Sequence, residues 1–245
     1  MNTPAKPPPP QNGAAEISGV LLVDKPSGWT SHDAVMVARR ALGMRRIGHT
    51  GTLDPAATGL LVLLAGGATR LQSRFQQAGK TYSGTMLFGA TTDTWDADGS
   101  ITKVSPLPPV APESFVEAAR SLAGEITQPV PPYSAVKFHG EPLHRIARRG
   151  GQLPEQMLRR ITIYGWDSLE WRAPELAFTV RCSGGTYVRS LAQMLGEKFG
   201  CGAHLKSLRR LEAGGFRVDG AIPADALKTI GRDELYARLL PVENL

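Results

Sequence analysis

Short apolar runs and amphipathic segments follow one another from residue 17 onward. In "GVLLVDKPSGW" the apolar run is followed by a Pro-Ser-Gly sequence, which predicts a buried strand that ends in a turn. In "TSHDAVMVARRAL", Val35, Ala38 and Leu42 share one helical face, which predicts an amphipathic helix. Thr30 and Asp33 have the spacing of a capping box at the start of this helix.

Similar patterns continue through the first half of the chain. They predict an apolar strand at 59–65, a short amphipathic helix at 68–78 and an alternating strand at 81–90. The stretch "TDTWDADGS" predicts an acidic turn that closes a hairpin. A Pro-rich linker at 105–112 leads to a helix predicted at 112–123.

The second half of the chain is richer in strands. "ITIYGWDSLEW" and "ELAFTVRCSGG" predict the two strands of a hairpin, and "AHLKSLRRLEAGGF" predicts a third. Between them, "TYVRSLAQMLGEKFG" predicts a helix that ends at Gly200. Because strands and helices do not alternate regularly, we predict an α+β fold with a mixed, mostly antiparallel central sheet flanked by helices.

Two segments lack these patterns. Residues 1–16 contain four consecutive prolines and no large apolar residue after Met1, which predicts a disordered tail. Residues 128–160 show no strand periodicity and carry six Lys or Arg against two Glu, so we expect an excursion from the core. The folded domain is predicted to start near Ile17 and to continue to residue 245.

Composition favours a polyanionic partner. The formal charge is +6 and the sequence pI is about 9.5, and 20 of the 28 basic residues are arginine. Five pairs of adjacent arginines are present. Because the planar arginine fork suits phosphate and can stack on bases, the pairs indicate a nucleic acid.

The lengths of the apolar runs bear on the cellular location of the protein and on the redox state of its two cysteines. No apolar run approaches the roughly 20 residues that cross a bilayer, which predicts a cytoplasmic protein without membrane contact. Cys182 and Cys201 are therefore expected to be free, buried thiols.

Several chemical motifs are incomplete. "AGKTY" lacks the first glycine of a phosphate-binding loop, and "GHTG" lacks the flanking helices of a KH clamp. Asp93, Asp96 and Asp98 have no Glu at the twelfth position of a calcium loop. The cysteines and histidines do not have zinc-site spacing, so no metal is expected.

One carboxylate stands apart, Asp54 in "GHTGTLDPAATG". Asp54 followed by Pro55, with Gly59 as terminator, is typical of the N-cap of a single-turn helix. The three surrounding glycines instead favour a loop whose backbone approaches a ligand and holds the carboxylate near it. Both interpretations stay open at this point.

Six stretches together resemble one family. They are "GVLLVDKPSGWTSHDAV", "RIGHTGTLDPAATGLLVLLAGGATRL", "KTYSGTMLFGATTDTWDADG", "PPYSAVKFHGEPLHRIARRG", "CSGGTYVRSLAQMLGEKFGCGAHLKSLRRL" and "LLPVENL". The sequence resembles the TruB family of bacterial tRNA pseudouridine synthases over about residues 19–245. This resemblance implies a pseudouridine synthase fold, a monomer, and isomerisation of the T-loop uridine of tRNA, position 55, without a cofactor or metal.

The resemblance also implies roles for particular residues. Asp54 matches the essential catalytic carboxylate, and Tyr82 matches a tyrosine that stacks on the target base and can move a proton. Tyr187 and Arg189 match residues beside that carboxylate. The remaining matches are an apolar pocket wall, Leu208, and a histidine that replaces the flipped nucleotide, His49.

The segment 133–160 matches a flexible insertion that closes over the T-arm of tRNA. Its cations are expected to contact phosphates: Lys137, Arg145, Arg148, Arg149, Arg159 and Arg160. The C-terminal PUA domain of many bacterial members has no counterpart, which leaves contacts to the acceptor stem in doubt, and the Pro-rich tail matches nothing in the family.

Two other function classes stay open. One is a tRNA-binding folding aid in which catalysis is secondary. The other is an N-glycosidase that releases the base, which would need a second carboxylate to activate water near Asp54. Asp93, Asp96 and Asp98 are the candidates for that carboxylate.

Overall fold

The computed structural model describes residues 17–155 and 157–241. The Pro-rich tail at 1–16 and the last four residues of the "LLPVENL" match lie outside the described residues. The strands within the described part are β1 (Gly19–Lys25), β2 (Ile47–His49), β3 (Thr58–Ala65), β4 (Lys80–Phe88), β5 (Ala90–Thr92), β6 (Ile101–Val104), β7 (Gly124–Pro129), β8 (Lys137–Phe138), β9 (Glu141–Pro142), β10 (Leu158–Arg172), β11 (Glu175–Cys182), β12 (Ala203–Ala213), β13 (Phe216–Arg217) and β14 (Ile222–Pro223). The α-helices there are α1 (Ser31–Leu42), α2 (Gln72–Gln77), α3 (Glu113–Arg120), α4 (Leu143–Arg148), α5 (Val188–Lys198) and α6 (Arg232–Ala237).

A single large sheet organises these elements. Its strand order is β14-β1-β3-β12-β4-β11-β10-β7, with β2 paired to β3 and β13 paired to β12. Neighbouring strands are antiparallel except in the pairs β1/β14 and β3/β12. The prediction of an α+β fold with a mixed, mostly antiparallel sheet is confirmed.

The predicted capping box at the start of α1 is also confirmed. Thr30 caps α1: its Oγ1 accepts from the backbone N of Asp33 at 3.1 Å, and the Asp33 carboxylate accepts from the backbone N of Thr30 at 2.8 Å. The apolar face of α1 packs on β1 and β3 in one core cluster. A second cluster lies between α3, α5 and strands β4, β10, β11 and β12. A third cluster contains Leu60, Val62 and Leu64, which lie on the face of β3 opposite to α1, so this part of the sheet has an apolar layer on each face.

Several boundaries differ from the prediction. The helix predicted at 68–78 is a 3₁₀ turn, Gly66–Leu71, followed by α2. The predicted excursion at 128–160 was drawn too wide at both ends. Residues 128 and 129 belong to β7, and residues 158–160 open β10, which pairs with β7. Strand β7 was missed because "GEITQP" is polar and lies at the sheet edge, where alternation is weak.

Between β7 and β10 the chain forms a small unit of its own. It contains the β8–β9 hairpin and α4. Val130, Leu143 and Ile146 make a separate small core, against which Tyr187 of the main domain packs. The segment predicted as an insertion is thus joined to the main domain next to the start of α5.

The cysteine prediction is confirmed, since Cys182 and Cys201 are both free and buried. In the part of the chain that the structure describes, no helix is long and apolar enough to cross a membrane.

Candidate active site

Asp54 lies in the loop that leads into β3. The backbone N of Ala57 donates to the Asp54 carbonyl at 3.1 Å, which makes a turn, but residues 54–59 do not form the single-turn helix of the N-cap interpretation. The Asp54 side chain is therefore not used as a cap. It points into a cleft of about 970 Å³.

Two residues of the β1–α1 connection hold this loop. Ser31 Oγ accepts from the backbone N of Leu53 at 2.8 Å and faces the Leu53 carbonyl at 3.2 Å. Lys25, fully buried, donates to the carbonyls of Trp29 at 2.7 Å and Pro55 at 3.2 Å. Sequence reasoning missed both roles, although a lysine at the end of an otherwise apolar strand was a visible signal. Backbone atoms on either side of Asp54 are thus fixed.

Arg189, in the first turn of α5, contacts the Asp54 carboxylate through two of its nitrogens. Its Nε lies 3.1 Å from Oδ2, and its Nη2 lies 3.3 Å from Oδ1. The same guanidinium donates to the carbonyls of Thr94 at 2.9 Å and Tyr133 at 3.1 Å. The Arg189 side chain is 6% exposed and that of Asp54 38%, so the pair has a buried cation and a carboxylate open to the cleft.

The acidic turn after β5 also reaches this site. As predicted, it closes a hairpin, between β5 and β6. In addition, Asp96 Oδ2 lies 3.4 Å from Arg189 Nη1, and its Oδ1 accepts from Thr94 Oγ1 at 2.5 Å. Asp98 accepts from the backbone N of Ala56 at 3.3 Å. This contact between distant segments could not be read from the sequence.

The charges around Asp54 oppose one another. Burial raises the pKa of Asp54, the Arg189 guanidinium lowers it, and the carboxylates of Asp96 and Asp98 raise it again. Without Arg189 the ionised carboxylate would face burial and two like charges, with only the smaller effect of Lys25 in its favour. The arginine is therefore the main support of the ionised form.

Tyr82 forms part of the cleft wall from the centre of the sheet. It lies on β4, is 8% exposed and faces the cleft beside Asp54. Burial raises the pKa of its hydroxyl, and the positive charge of the nearby Arg210 opposes that rise. Arg210, on β12, passes close to Gly59, where any Cβ would lie 2.3 Å from the Arg210 carbonyl oxygen. Gly59 has a φ of +99°, so both space and backbone conformation require glycine.

The structure brings most of the predicted site residues together. Lining the cleft with Asp54 are Tyr82, Tyr187, Arg189, Leu208, Arg148, Arg159 and Arg160. Arg159 lies over the Tyr187 ring, with its guanidinium carbon 5.8 Å from the ring centroid. The cleft thus combines aromatic walls and several arginines with three carboxylates, those of Asp54, Asp96 and Asp98.

Four predicted residues lie outside the cleft lining. His49 is on β2, where burial lowers the pKa of its ring. Arg149 pairs with Glu141 at 2.6 Å on the surface of the insertion. Lys137 on β8 and Arg145 on α4 also lie in the insertion. None of these four side chains is part of the cleft lining with Asp54.

Two family models match adjoining parts of the chain. The model described as TruB family pseudouridylate synthase (N terminal domain) matches residues 39–188. The model described as tRNA pseudouridylate synthase B C-terminal domain matches residues 189–245. Strand β12, from the second match, lies between β3 and β4 of the first in the main sheet.

Curated relatives match over most of the chain. A protein of Opitutus terrae is 43% identical over 93% of this chain and 94% of its own length. One of Ralstonia nicotianae is 44% identical over 94% of this chain and 74% of its own length. Both are named tRNA pseudouridine synthase B.

Solved structures share the architecture. The chain aligns with one in a Cbf5-Nop10-Gar1 complex at a TM-score of 0.67 and 28% identity, over 91% of this chain and 59% of that one. It aligns with a chain in an H/ACA RNP bound to a substrate RNA containing 2'-deoxyuridine at a TM-score of 0.66 and 26% identity, over 92% and 59% of the two chains. This chain therefore spans about three fifths of each of these solved chains.

Proposed function

The chain belongs to the TruB family of pseudouridylate synthases, isomerases that convert uridine in tRNA to pseudouridine, and we propose that its target is the T-loop uridine at position 55. The observation that carries the catalytic part of this proposal is the Asp54 carboxylate, held by two nitrogens of a buried Arg189 at the floor of a nucleotide-sized cleft.

The reaction requires three changes in the nucleotide. The bond between C1′ and N1 breaks with its electron pair leaving on the base, the uracil turns, and C5 bonds to C1′ and then loses its proton. Asp54 is the group that acts on the ribose, either by attacking C1′ or by removing the C2′ proton. Both routes start from an ionised carboxylate, which is the state that Arg189 favours.

The aromatic walls suit a nucleotide that has left its stack. Flipping a base out of a folded loop costs a few kcal/mol, and stacking on an aromatic side chain returns roughly 1 to 3 kcal/mol. We assign the stacking role to Tyr82, with Tyr187 and Leu208 completing the walls. His49, on β2 and outside the cleft lining, is the residue that would fill the gap left in the T-loop.

The basic residues of the insertion are assigned to the RNA backbone. Arg148, Arg159 and Arg160 line the cleft rim, and the insertion carries Lys137, Arg145 and Arg149 farther out. Such cations neutralise phosphates without reading sequence. The insertion would thus contribute affinity for the T-arm and leave the chemical step to the cleft.

The N-glycosidase alternative depends on a second carboxylate that activates water. Asp96 and Asp98 both line the cleft, but the oxygens of Asp96 already face Arg189, Thr94 and the backbone N of Asp98. Asp98 accepts from the backbone N of Ala56 at 3.3 Å. Carboxylates engaged in this way are poorly placed to take a proton from water. We therefore favour isomerisation, in which the base stays in the cleft.

The proposal is tested with a tRNA transcript that carries tritium at C5 of every uridine. Formation of pseudouridine releases the C5 tritium to water, because C5 loses its hydrogen after it bonds to C1′ of the ribose. Wild-type protein is expected to release one equivalent per tRNA. Asp54→Asn and Arg189→Ala are each expected to slow the release by about a thousandfold or more, since one removes the carboxylate and the other its counter-charge.

Binding of the transcript by Asp54→Asn, measured in parallel, is expected to match the wild type. Catalysis that survives in Asp54→Asn would contradict the assignment of Asp54. An Asp54→Asn protein that still promotes tRNA folding would instead favour the folding-aid alternative.

A further inference from the structure

Arg210 is the largest fully buried side chain of the described residues, and the proposed chemistry does not use it. It lies on β12 and is 2% exposed. Within residues 17–155 and 157–241 its side chain forms no ion pair with a carboxylate. Burying a cation without a counter-charge costs free energy, and an apolar side chain of similar size would avoid that cost. Stability alone therefore does not explain an arginine at this place.

The hydrogen bonds of Arg210 go to both ends of the loop that carries Asp54. Its Nη2 donates to the Gly51 carbonyl at 3.1 Å, on the side of the loop that precedes Asp54. Its Nε donates to the Leu60 carbonyl at 2.6 Å, on the side that follows Asp54. One guanidinium thus joins the two ends of this loop.

Arg210 also packs closely against the backbone of the loop. It lies opposite Gly59 in the pairing of β12 with β3, and any Cβ on Gly59 would lie 2.3 Å from the Arg210 carbonyl oxygen. At the other end, a Cβ on Gly51 would lie 3.5 Å from Arg210 Nη1. The loop therefore has little room to shift toward Arg210 at either end.

This support comes from a different side than the contacts of the β1–α1 connection. Lys25, the last residue of β1, donates to the Pro55 carbonyl, and Ser31 accepts from the backbone N of Leu53. In the sheet, β3 lies between β1 and β12. The loop that leads into β3 is thus held from both strands that flank β3.

We propose that Arg210 is a positioning residue for the reaction, which fixes Gly51 and Leu60 relative to each other and so holds the Asp54 carboxylate at the reacting ribose. This inference rests on the proposed function. The Asp54 side chain is 38% exposed, so its place depends on its own backbone as well as on Arg189. A displacement of about 1 Å in a reacting group can lower a rate about a hundredfold.

The shape of the guanidinium separates this role from that of a charge. Nε and Nη2 lie at different places on the group, and each meets its own carbonyl. A lysine has a methylene group where Nε lies and one compact ammonium group beyond it. Arg210→Lys therefore keeps the charge and loses at least the hydrogen bond to Leu60.

Single-turnover rates of pseudouridine formation at saturating enzyme test the proposal. Arg210→Lys and Arg210→Met are each expected to lower the rate about tenfold or more, because the carboxylate is no longer held in place. Affinity for the tRNA is expected to stay within about twofold. Thermal unfolding is followed for every variant, and if Arg210→Met does not fold, Arg210→Lys carries the test.

The pH profile of the rate separates positioning from charge. The charged groups that act on the pKa of Asp54 are Arg189, Asp96, Asp98 and Lys25. The midpoint is therefore expected to stay at the wild-type value in Arg210→Met and Arg210→Lys. A midpoint that rises in Arg210→Met alone would mean that Arg210 acts as a charge, which would contradict the proposal.

Arg209→Met is the matched control. It removes the same charge from the neighbouring residue of β12, whose side chain pairs with Asp24 at 2.7 Å and is not part of the cleft lining. Its rate is expected to stay within about twofold of the wild type.

A second measurement does not depend on activity. In the free protein the backbone N–H groups of Leu53 and Ala57 are hydrogen-bonded, so their exchange with deuterated water reports on the loop. Both Arg210 variants are expected to speed exchange at residues 50–57 about tenfold and to leave that of α1 unchanged. Arg209→Met is expected to match the wild type in both segments.

A wild-type rate in Arg210→Lys, or loop exchange that is the same in the Arg210 variants as in the wild type, would overturn the inference. This failure is distinct from failure of the proposed function, in which wild-type protein itself would form no pseudouridine.

Discussion

At the scale of single residues, the site depends on how three charges share one small volume. Asp54 is pulled toward the neutral form by burial and by Asp96, and toward the ionised form by Arg189. Asp96 has two opposed effects, since it also pairs with Arg189 and so holds the arginine in place. The balance between these effects sets the pH range in which Asp54 can act.

The pH dependence of the rate is expected to follow this balance. Because the role proposed for Asp54 needs its ionised form and burial raises its pKa, the single-turnover rate should fall with decreasing pH at a midpoint above the ordinary aspartate value of about 4. Asp96→Asn removes a like charge and keeps the shape of the side chain. It should lower the pKa of Asp54 and move that midpoint to lower pH.

The control for this measurement is Asp167→Asn, which removes a carboxylate that pairs with Arg181 outside the cleft. Its pH profile is expected to match the wild type. A midpoint that stays in place or rises in Asp96→Asn would show that Asp96 does not act on Asp54 as described.

At this scale the sequence was informative where chemistry is carried by a local motif. The loop of Asp54 and the helix start at Arg189 could be singled out from "TLDP" and "GTYVR". The contact of Asp96 with Arg189 and the burial of Arg210 at the cleft could not be predicted, because both depend on segments far apart in the chain. An acidic turn and an arginine pair are ordinary surface features until the sheet brings them to the cleft.

At the scale of elements, the connection between β1 and α1 works as a clamp on the loop that carries Asp54. Ser31 is the first residue of α1, so the helix and the loop share one anchor point. The capping box at Thr30 fixes where the helix begins and therefore where Ser31 lies. The capping box, which could be recognised in the sequence, thus positions the contact between Ser31 and Leu53, which could not.

Two neighbouring substitutions separate stability from positioning. Ser31→Ala leaves the buried Leu53 backbone without its partner, which should cost about 1 to 3 kcal/mol of folding free energy and slow the chemical step about tenfold. Thr30→Ala removes only the helix cap, which should cost about 1 kcal/mol and change the rate less than about twofold. Chemical denaturation and single-turnover rates measure the two effects. Equal rates for the two variants would mean that the clamp does not position Asp54.

At the scale of the whole molecule, the central sheet and the segment between β7 and β10 divide the work. Three neighbouring strands of the sheet position the cleft residues: Asp54 lies in the loop before β3, Tyr82 on β4 and Arg210 on β12. The inserted segment carries cations and a small core that contacts Tyr187. The fold class was predictable because apolar periodicity is strong in the central strands. The edge strand β7 and the limits of the insertion were not, since polar edge positions leave a weak pattern.

This division predicts a specific salt dependence. Replacing Arg145, Arg148 and Arg149 by alanine should weaken tRNA binding about tenfold or more at low salt, while the single-turnover rate at saturation stays within about twofold. The slope of log affinity against log salt should become shallower by about one to two. The expected change in slope is smaller than the loss of three phosphate contacts would give, because Arg149 already pairs with Glu141.

A matched variant removes the same charge elsewhere. Arg172, Arg181 and Lys206 each pair with a carboxylate outside the cleft lining, and their joint replacement by alanine is expected to leave the slope nearly unchanged. If both triple variants flatten the slope equally, overall charge and not the insertion governs binding.

The central claim is tested most directly by mapping pseudouridine along an unmodified tRNA transcript after incubation with the wild-type protein. The account predicts one modified position, the T-loop uridine at position 55, with no free uracil in solution and no modification by Asp54→Asn. Free uracil, modification at another position, or an unmodified transcript would contradict it.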